Sequence, residues 1–111
     1  MLVAFEGDLS ICGFANAAPF DARGAYQSSV KTSVFVTPEV AGQGVAKALY
    51  GALLQALAGA GAHRAYALIV EPNPASVALH EGFGFAQVAT LNEVGRKFGL
   101  YHNVMWFEKR L

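Results

Sequence analysis

"TPEVAGQGVAKALYGALLQALAG", residues 37–59, sets Gly42 and Gly44 directly ahead of a run whose apolar residues fall at Val45, Ala48, Leu49, Ala52, Leu53, Ala56 and Leu57. That i, i+3, i+4, i+7 spacing predicts one face of a helix. Glycines at a strand-to-helix junction let the backbone turn sharply with its amides uncovered. Those amides, with the unpaired donors and positive dipole end of a helix starting near Val45, suit a phosphate or diphosphate. Taken alone, the glycines are also explained by a plain tight turn. Two nucleotide-binding loops are excluded: Gly-x-x-x-x-Gly-Lys-Ser/Thr is absent, and Lys47 stands where the dinucleotide fingerprint needs a third small residue.

Ahead of this stretch, "LVAFEGDLSICGFANAAPF" predicts strands over about 2–6 and 9–16, joined by a hairpin turn at Gly7-Asp8. "DARGAYQSS" is a polar loop, and "VKTSVFVT" predicts a strand over 30–37. Behind it, "GAGAH" ends the helix, because glycine supplies a left-handed cap. "AYALIV", 65–70, is an apolar run suited to a strand buried on both faces; "ASVALHEG", 75–82, predicts a short helix; "FAQVATL" and "LYHNVMWFEKRL" predict strands. The central strand, helix and strand imply a parallel pair with a right-handed crossover, and the leading hairpin implies antiparallel neighbours. The fold expected is a single α+β domain over residues 1–111, one mixed sheet flanked by helices.

The totals narrow the function. Eight Lys and Arg balance eight Asp and Glu, so no long-range field gathers nucleic acid or an anionic membrane. At 54% hydrophobic and 14% charged the chain is more apolar than most soluble domains, yet no run has the eighteen or so apolar residues of a membrane span. No nucleic-acid or membrane partner is expected. Cys12 is the single cysteine, so no internal disulfide or thiolate cluster can form and the cytoplasm is the default location. His63, His80 and His102 are far apart and lack carboxylate partners at metal-site spacing, so no metal is expected.

A second candidate site lies in "EPNPASVALHEGFGF", residues 71–85. Asn73 closes the buried strand, Pro74 takes a first-turn position, and His80 follows seven residues on, so Asn73, Val77 and His80 share one side of the short helix. Asn73 also suits an N-cap, and His80 also reads as a partly exposed helix residue.

With both stretches in view, the chain resembles the GNAT superfamily of acetyl-coenzyme A-dependent N-acetyltransferases, and within it the phosphinothricin and methionine sulfoximine acetyltransferase group. "SVFVTPEVAGQGVAKALYGALL", "NPASVALHEGFGF" and "VGRKFGLYHNVMWFEKRL" carry the likeness, and "GDLSICGFANAAPFDARGAY" matches the preceding hairpin. The resemblance implies acetyl-coenzyme A as cosubstrate, its diphosphate on the backbone of Gly42, Gln43, Gly44, Val45 and Ala46. It implies that Val34, Phe35 and Val36 run beside the pantetheine arm and polarise the acetyl carbonyl, with Asn73 and Ser76 also at the coenzyme. His80 takes the place of a tyrosine that in many relatives protonates the departing thiolate.

Departures from the pattern are specific. Ala41 replaces the Gln or Arg that opens the family loop, and Lys31 stands where the group carries a glutamate near the substrate ammonium. Lysine serves as a base only if burial lowers its pKa strongly, and an ordinary surface lysine is the alternative. His102-Asn103 replaces a histidine–aspartate pair, and Arg96 and Lys97 either meet an acidic substrate or lie in a solvated loop. Lys31, Lys97 and His102 are the candidate substrate contacts. The chain begins at what resembles the family's second strand, without the first strand and two helices, as expected of a short gene or a fragment.

The reading is an N-acetyltransferase for a small primary amine, such as phosphinothricin or methionine sulfoximine; its rival is a catalytically silent remnant that binds acyl-coenzyme A or only self-associates. Both alternating sets of "LVAFEG", "SICGFA" and "SVFVT" are mostly apolar, so both sheet faces expect cover. A homodimer through the N-terminal strands is therefore expected.

Overall fold

The computed structural model describes residues 1–5 and 10–111, and the turn expected at Gly7-Asp8 lies outside the described residues. Among the described residues six strands form one sheet in the order β1-β2-β3-β4-β6-β5, where β1 is Leu2–Phe5, β2 Ile11–Pro19, β3 Ser29–Val36, β4 Arg64–Val70, β5 Ala86–Lys97 and β6 Leu100–Arg110. The β3–β4 pair is parallel and the other pairs are antiparallel. Helix α1, Val45–Gly59, provides the crossover between the parallel strands, and α2, Pro74–Gly82, links β4 to β5. Neither helix is long and apolar enough to cross a membrane. The expected mixed, mainly antiparallel α+β architecture is the one observed.

Helix α1 buries Leu49, Tyr50, Leu53 and Leu54. This stripe is rotated from the expected one, because the bulky side chains take the sheet and leave Ala48, Ala52 and Ala56 exposed. At its end Gly61 adopts φ +93°, the Gly61 amide donates to the Ala58 carbonyl, and the Ala62 amide donates to the Leu57 carbonyl. These two bonds close the expected glycine cap. Beneath α1, Ala15, Ala65, Ala67, Ile69, Phe85, Met105 and Phe107 complete the core.

Both helices pack on one face of the sheet, with the Tyr50 ring of α1 against the His80 ring of α2 at 4.9 Å between centroids. The other face is open. Strand β4 shows the difference: Ala65, Ala67 and Ile69 are buried under the helices, while Leu68 is 42% and Val70 48% exposed. The expected burial of β4 on both faces is thus corrected, since no element covers the second face among the described residues.

Strands β5 and β6 make a hairpin longer than the sequence suggests. Its turn is Phe98-Gly99, with φ +53° and +76°, and Arg96 and Lys97 belong to β5 instead of a loop. Positive φ at both central residues fits the right-handed twist of the flanking strands.

Candidate active site

The parallel strands β3 and β4 pair only at Ser29↔Arg64, Val30↔Ala65 and Lys31↔Tyr66. Beyond that rung they part, so the β4-facing edge of β3 from Ser33 to Val36 has no ladder partner on that side. On the helix face, the end of β3, the glycine loop and the start of α2 converge on a cavity of about 430 Å³. Of the residues singled out in the sequence, Val34, Val36, Gly42, Gly44, Ala46, Asn73 and Ser76 line it.

The glycines are there for their backbone. Gly42 and Gly44 adopt φ +82° and +81°, the left-handed region that L side chains rarely occupy, and a Cβ at either position meets nothing within 4 Å. Conformation, and not crowding within the fold, therefore requires glycine at both. Gly44 caps α1 with no side-chain hydrogen bond, and the first intrahelical bond runs from the Ala48 amide to the Gly44 carbonyl. The amides of Val45, Ala46 and Lys47 consequently have no intrahelical partner at the positive end of the dipole.

At the second helix, the Asn73 side-chain oxygen accepts from the Ser76 amide at 3.2 Å, and Pro74 occupies the first turn, where a missing N–H costs nothing. Asn73 is an N-cap and a wall of the cavity at once.

Three expected coenzyme contacts do not line the cavity. Phe35 alternates to the open face and is 55% exposed. The Gln43 amide group donates to the Glu39 carbonyl at 3.1 Å, and Val45 packs toward Leu2 and the core. Lys47 was missed and does line the cavity. Its place in the first turn of α1 was the available signal, and it supplies a cation where Ala41 has none.

His80 is 4% exposed and lines no part of the cavity. Its Nδ1 lies 2.7 Å from the Ser76 carbonyl oxygen, an acceptor, so Nδ1 carries the proton and donates. Nε2 is then the acceptor, and receives the Tyr50 hydroxyl at 3.0 Å. Tyr50 in turn meets the Thr32 hydroxyl of β3. Burial holds His80 below the usual histidine range, opposed by the Ser76 carbonyl, and pushes Tyr50 up to about 12. Both shifts favour the neutral forms. With both nitrogens engaged, His80 in this arrangement has no free proton aimed at the cavity, and its burial corrects the reading of a partly exposed helix residue; Ser76, whose Oγ lies 3.4 Å from Nδ1, stands between them.

The candidate substrate residues are dispersed. Lys31 projects from the open face, with Nζ 5.7 Å from the centroid of Phe20 and 5.9 Å from that of Trp106. Lys97 lies beside Phe98 at the hairpin tip, and His102 pairs with Gly95. None of the three lines the cavity.

Residues 1–85 match the acetyltransferase (GNAT) family. The chain belongs to the GNAT family. Within it, the chain is 50% identical over 101 residues to the phosphinothricin N-acetyltransferase of Streptomyces coelicolor, covering 91% of this chain and 59% of that relative. The chain thus spans about six-tenths of that relative's length. Among solved GNAT structures, a phosphinothricin acetyltransferase from Sinorhizobium meliloti in complex with AcCoA aligns at TM-score 0.93 and 30% identity, covering 98% of this chain and 59% of that one. A ribosomal-protein-alanine N-acetyltransferase from Brucella melitensis also aligns at TM-score 0.93, with 32% identity over 98% of this chain and 67% of that one. The GNAT fold at this level of likeness accompanies enzymes named for different acceptors, so it does not name the amine.

Proposed function

We propose that the chain is an acetyl-coenzyme A-dependent N-acetyltransferase acting on a small, amino-acid-like primary amine. The observation that carries this reading is the convergence of three separate stretches, the end of β3, the Gly42–Gly44 loop and the start of α2, on one cavity at a helix N-terminus. The amides of Val45 to Lys47 hold the coenzyme's diphosphate, with the Lys47 ammonium beside it. The unpaired edge of β3 lies along the pantetheine arm and donates to the acetyl oxygen as negative charge develops there. Asn73 and Ser76 bound the arm on the other side. His80 acts through Ser76, as a positioning residue that fixes the α2 start against α1 and β3.

A neutral amine attacks the thioester carbonyl directly in this scheme, the C–S bond breaks as the amide forms, the proton lost by the amine ends on the departing coenzyme sulfur, and no enzyme nucleophile is used. The reaction is placed in the cytoplasm, a setting supported by a lone buried Cys12 that needs no oxidising compartment. The protein works as a homodimer, a reading supported by Phe5, Ile11, Phe14 and Phe35, all between 37% and 60% exposed at the β1–β3 end of the sheet. A panel of amino acids and simple amines, followed by coenzyme release, tests the activity: release with at least one acceptor is expected. Coenzyme binding without release from any acceptor would return the silent-remnant reading.

A further inference from the structure

Resting on that reading, we propose that Lys31 and the aromatic residues around it form the site that takes the acid group of the acceptor amine, so that this chain selects acceptors carrying a carboxylate. Lys31 sits on the last paired rung before β3 and β4 part. Strand alternation puts it on the face opposite Val34 and Val36, at the point where the two strands separate. Phe20, Tyr66 and Trp106 surround it: Phe20 lies 5.1 Å from Tyr66 and 6.1 Å from Trp106, and Tyr66 lies 6.2 Å from Trp106, between centroids.

Charge and hydrogen bonding decide what this cluster accepts. The ammonium lies against two ring faces, at Phe20 and Trp106, an arrangement that suits a cation. Two carboxylates in this part of the molecule are engaged elsewhere, Asp21 by Arg23 at 2.9 Å and Glu108 by Arg64 at 4.0 Å. Among the described residues Lys31 therefore forms no ion pair. The Trp106 indole N–H is buried and has no hydrogen-bond partner among the described residues. Two groups that only donate stand in one cluster, neither with a hydrogen-bond partner among the described residues, and an unmatched buried donor is costly. An anionic oxygen answers both, the Lys31 side chain being the flexible element that shifts to admit it. A glutamate in this place would favour an ammonium instead; lysine reverses the preference.

Trp106 is the single tryptophan of the chain, so its emission reports on the cluster directly. Wild-type protein is titrated with N-acetylmethionine and, separately, with N-acetylmethionine amide, and the carboxylate titration is repeated on Lys31→Met and Lys31→Arg. The expected result is a saturable change with the carboxylate, none with the amide, at least tenfold weaker binding in Lys31→Met, and recovery in Lys31→Arg. Equal response to carboxylate and amide, an unaltered Lys31→Met, or no saturable change in wild type would overturn the proposal. Acetyl-coenzyme A binding measured on the same wild-type sample separates this outcome from failure of the acetyltransferase reading.

Discussion

Tyr50 carries more of the site's geometry than its position in the middle of a helix suggests. Its hydroxyl joins β3, through Thr32, to α2, through His80, and both it and His80 are nearly inaccessible to solvent. Tyr50→Phe leaves the His80 Nε2 buried without a donor and is expected to cost about 1–3 kcal/mol in urea denaturation; an unchanged midpoint would show that the bond is not needed. His80 gives the pH dependence its sign. Its folded pKa is depressed by burial, so the unfolded chain takes the proton first as pH falls below the unfolded value of about 6.5. Stability should be level above that pH and decline through the acid side, down to the folded pKa. In His80→Gln that part of the decline should be lost, which urea midpoints at pH 7.5 and 5.5 would detect.

At the scale of elements, β2 depends on a glycine for space. A Cβ on Gly13 would lie 2.9 Å from the Phe35 carbonyl oxygen, which is fixed in the sheet, and 3.1 Å from Leu49 of α1. Gly13→Ala is expected to destabilise by about 1–3 kcal/mol through overpacking, measured by thermal or urea unfolding. How legible an element was depended on whether its signal was local. Helix α1 was readable because its periodicity, the left-handed glycines before it and the glycine cap after it all agree in one stretch. The β5–β6 hairpin was not, because Phe98 adopts a positive φ that its residue type does not announce, and β5 is an exposed edge strand whose bulges break the alternation. The site divides the same way. Backbone features followed from Gly42, Gly44 and Asn73, whereas the inward turn of His80 depends on Tyr50, thirty residues away in sequence, and could not be read from the α2 segment alone.

For the whole molecule, one face of the sheet is uncovered among the described residues. Phe14 and Phe35 pair across β2 and β3 with centroids 5.8 Å apart and remain exposed. In the homodimer proposed here that face is shared by two copies, so light scattering should give the mass of a dimer, and Phe5→Asp with Phe14→Asp should give a monomer; a wild-type monomer at micromolar concentration would exclude it. The central claim, that the glycine loop and the two helix starts form a coenzyme site, is tested most directly by thermal unfolding with acetyl-coenzyme A. A ligand at about 100 times its Kd adds roughly 2.7 kcal/mol to the folded state, which for a domain of this size raises Tm by about ten degrees or more. Wild-type protein should show that rise and Gly44→Val should show none, because the side chain blocks the backbone approach. No rise in wild type, or an equal rise in both, would contradict the account.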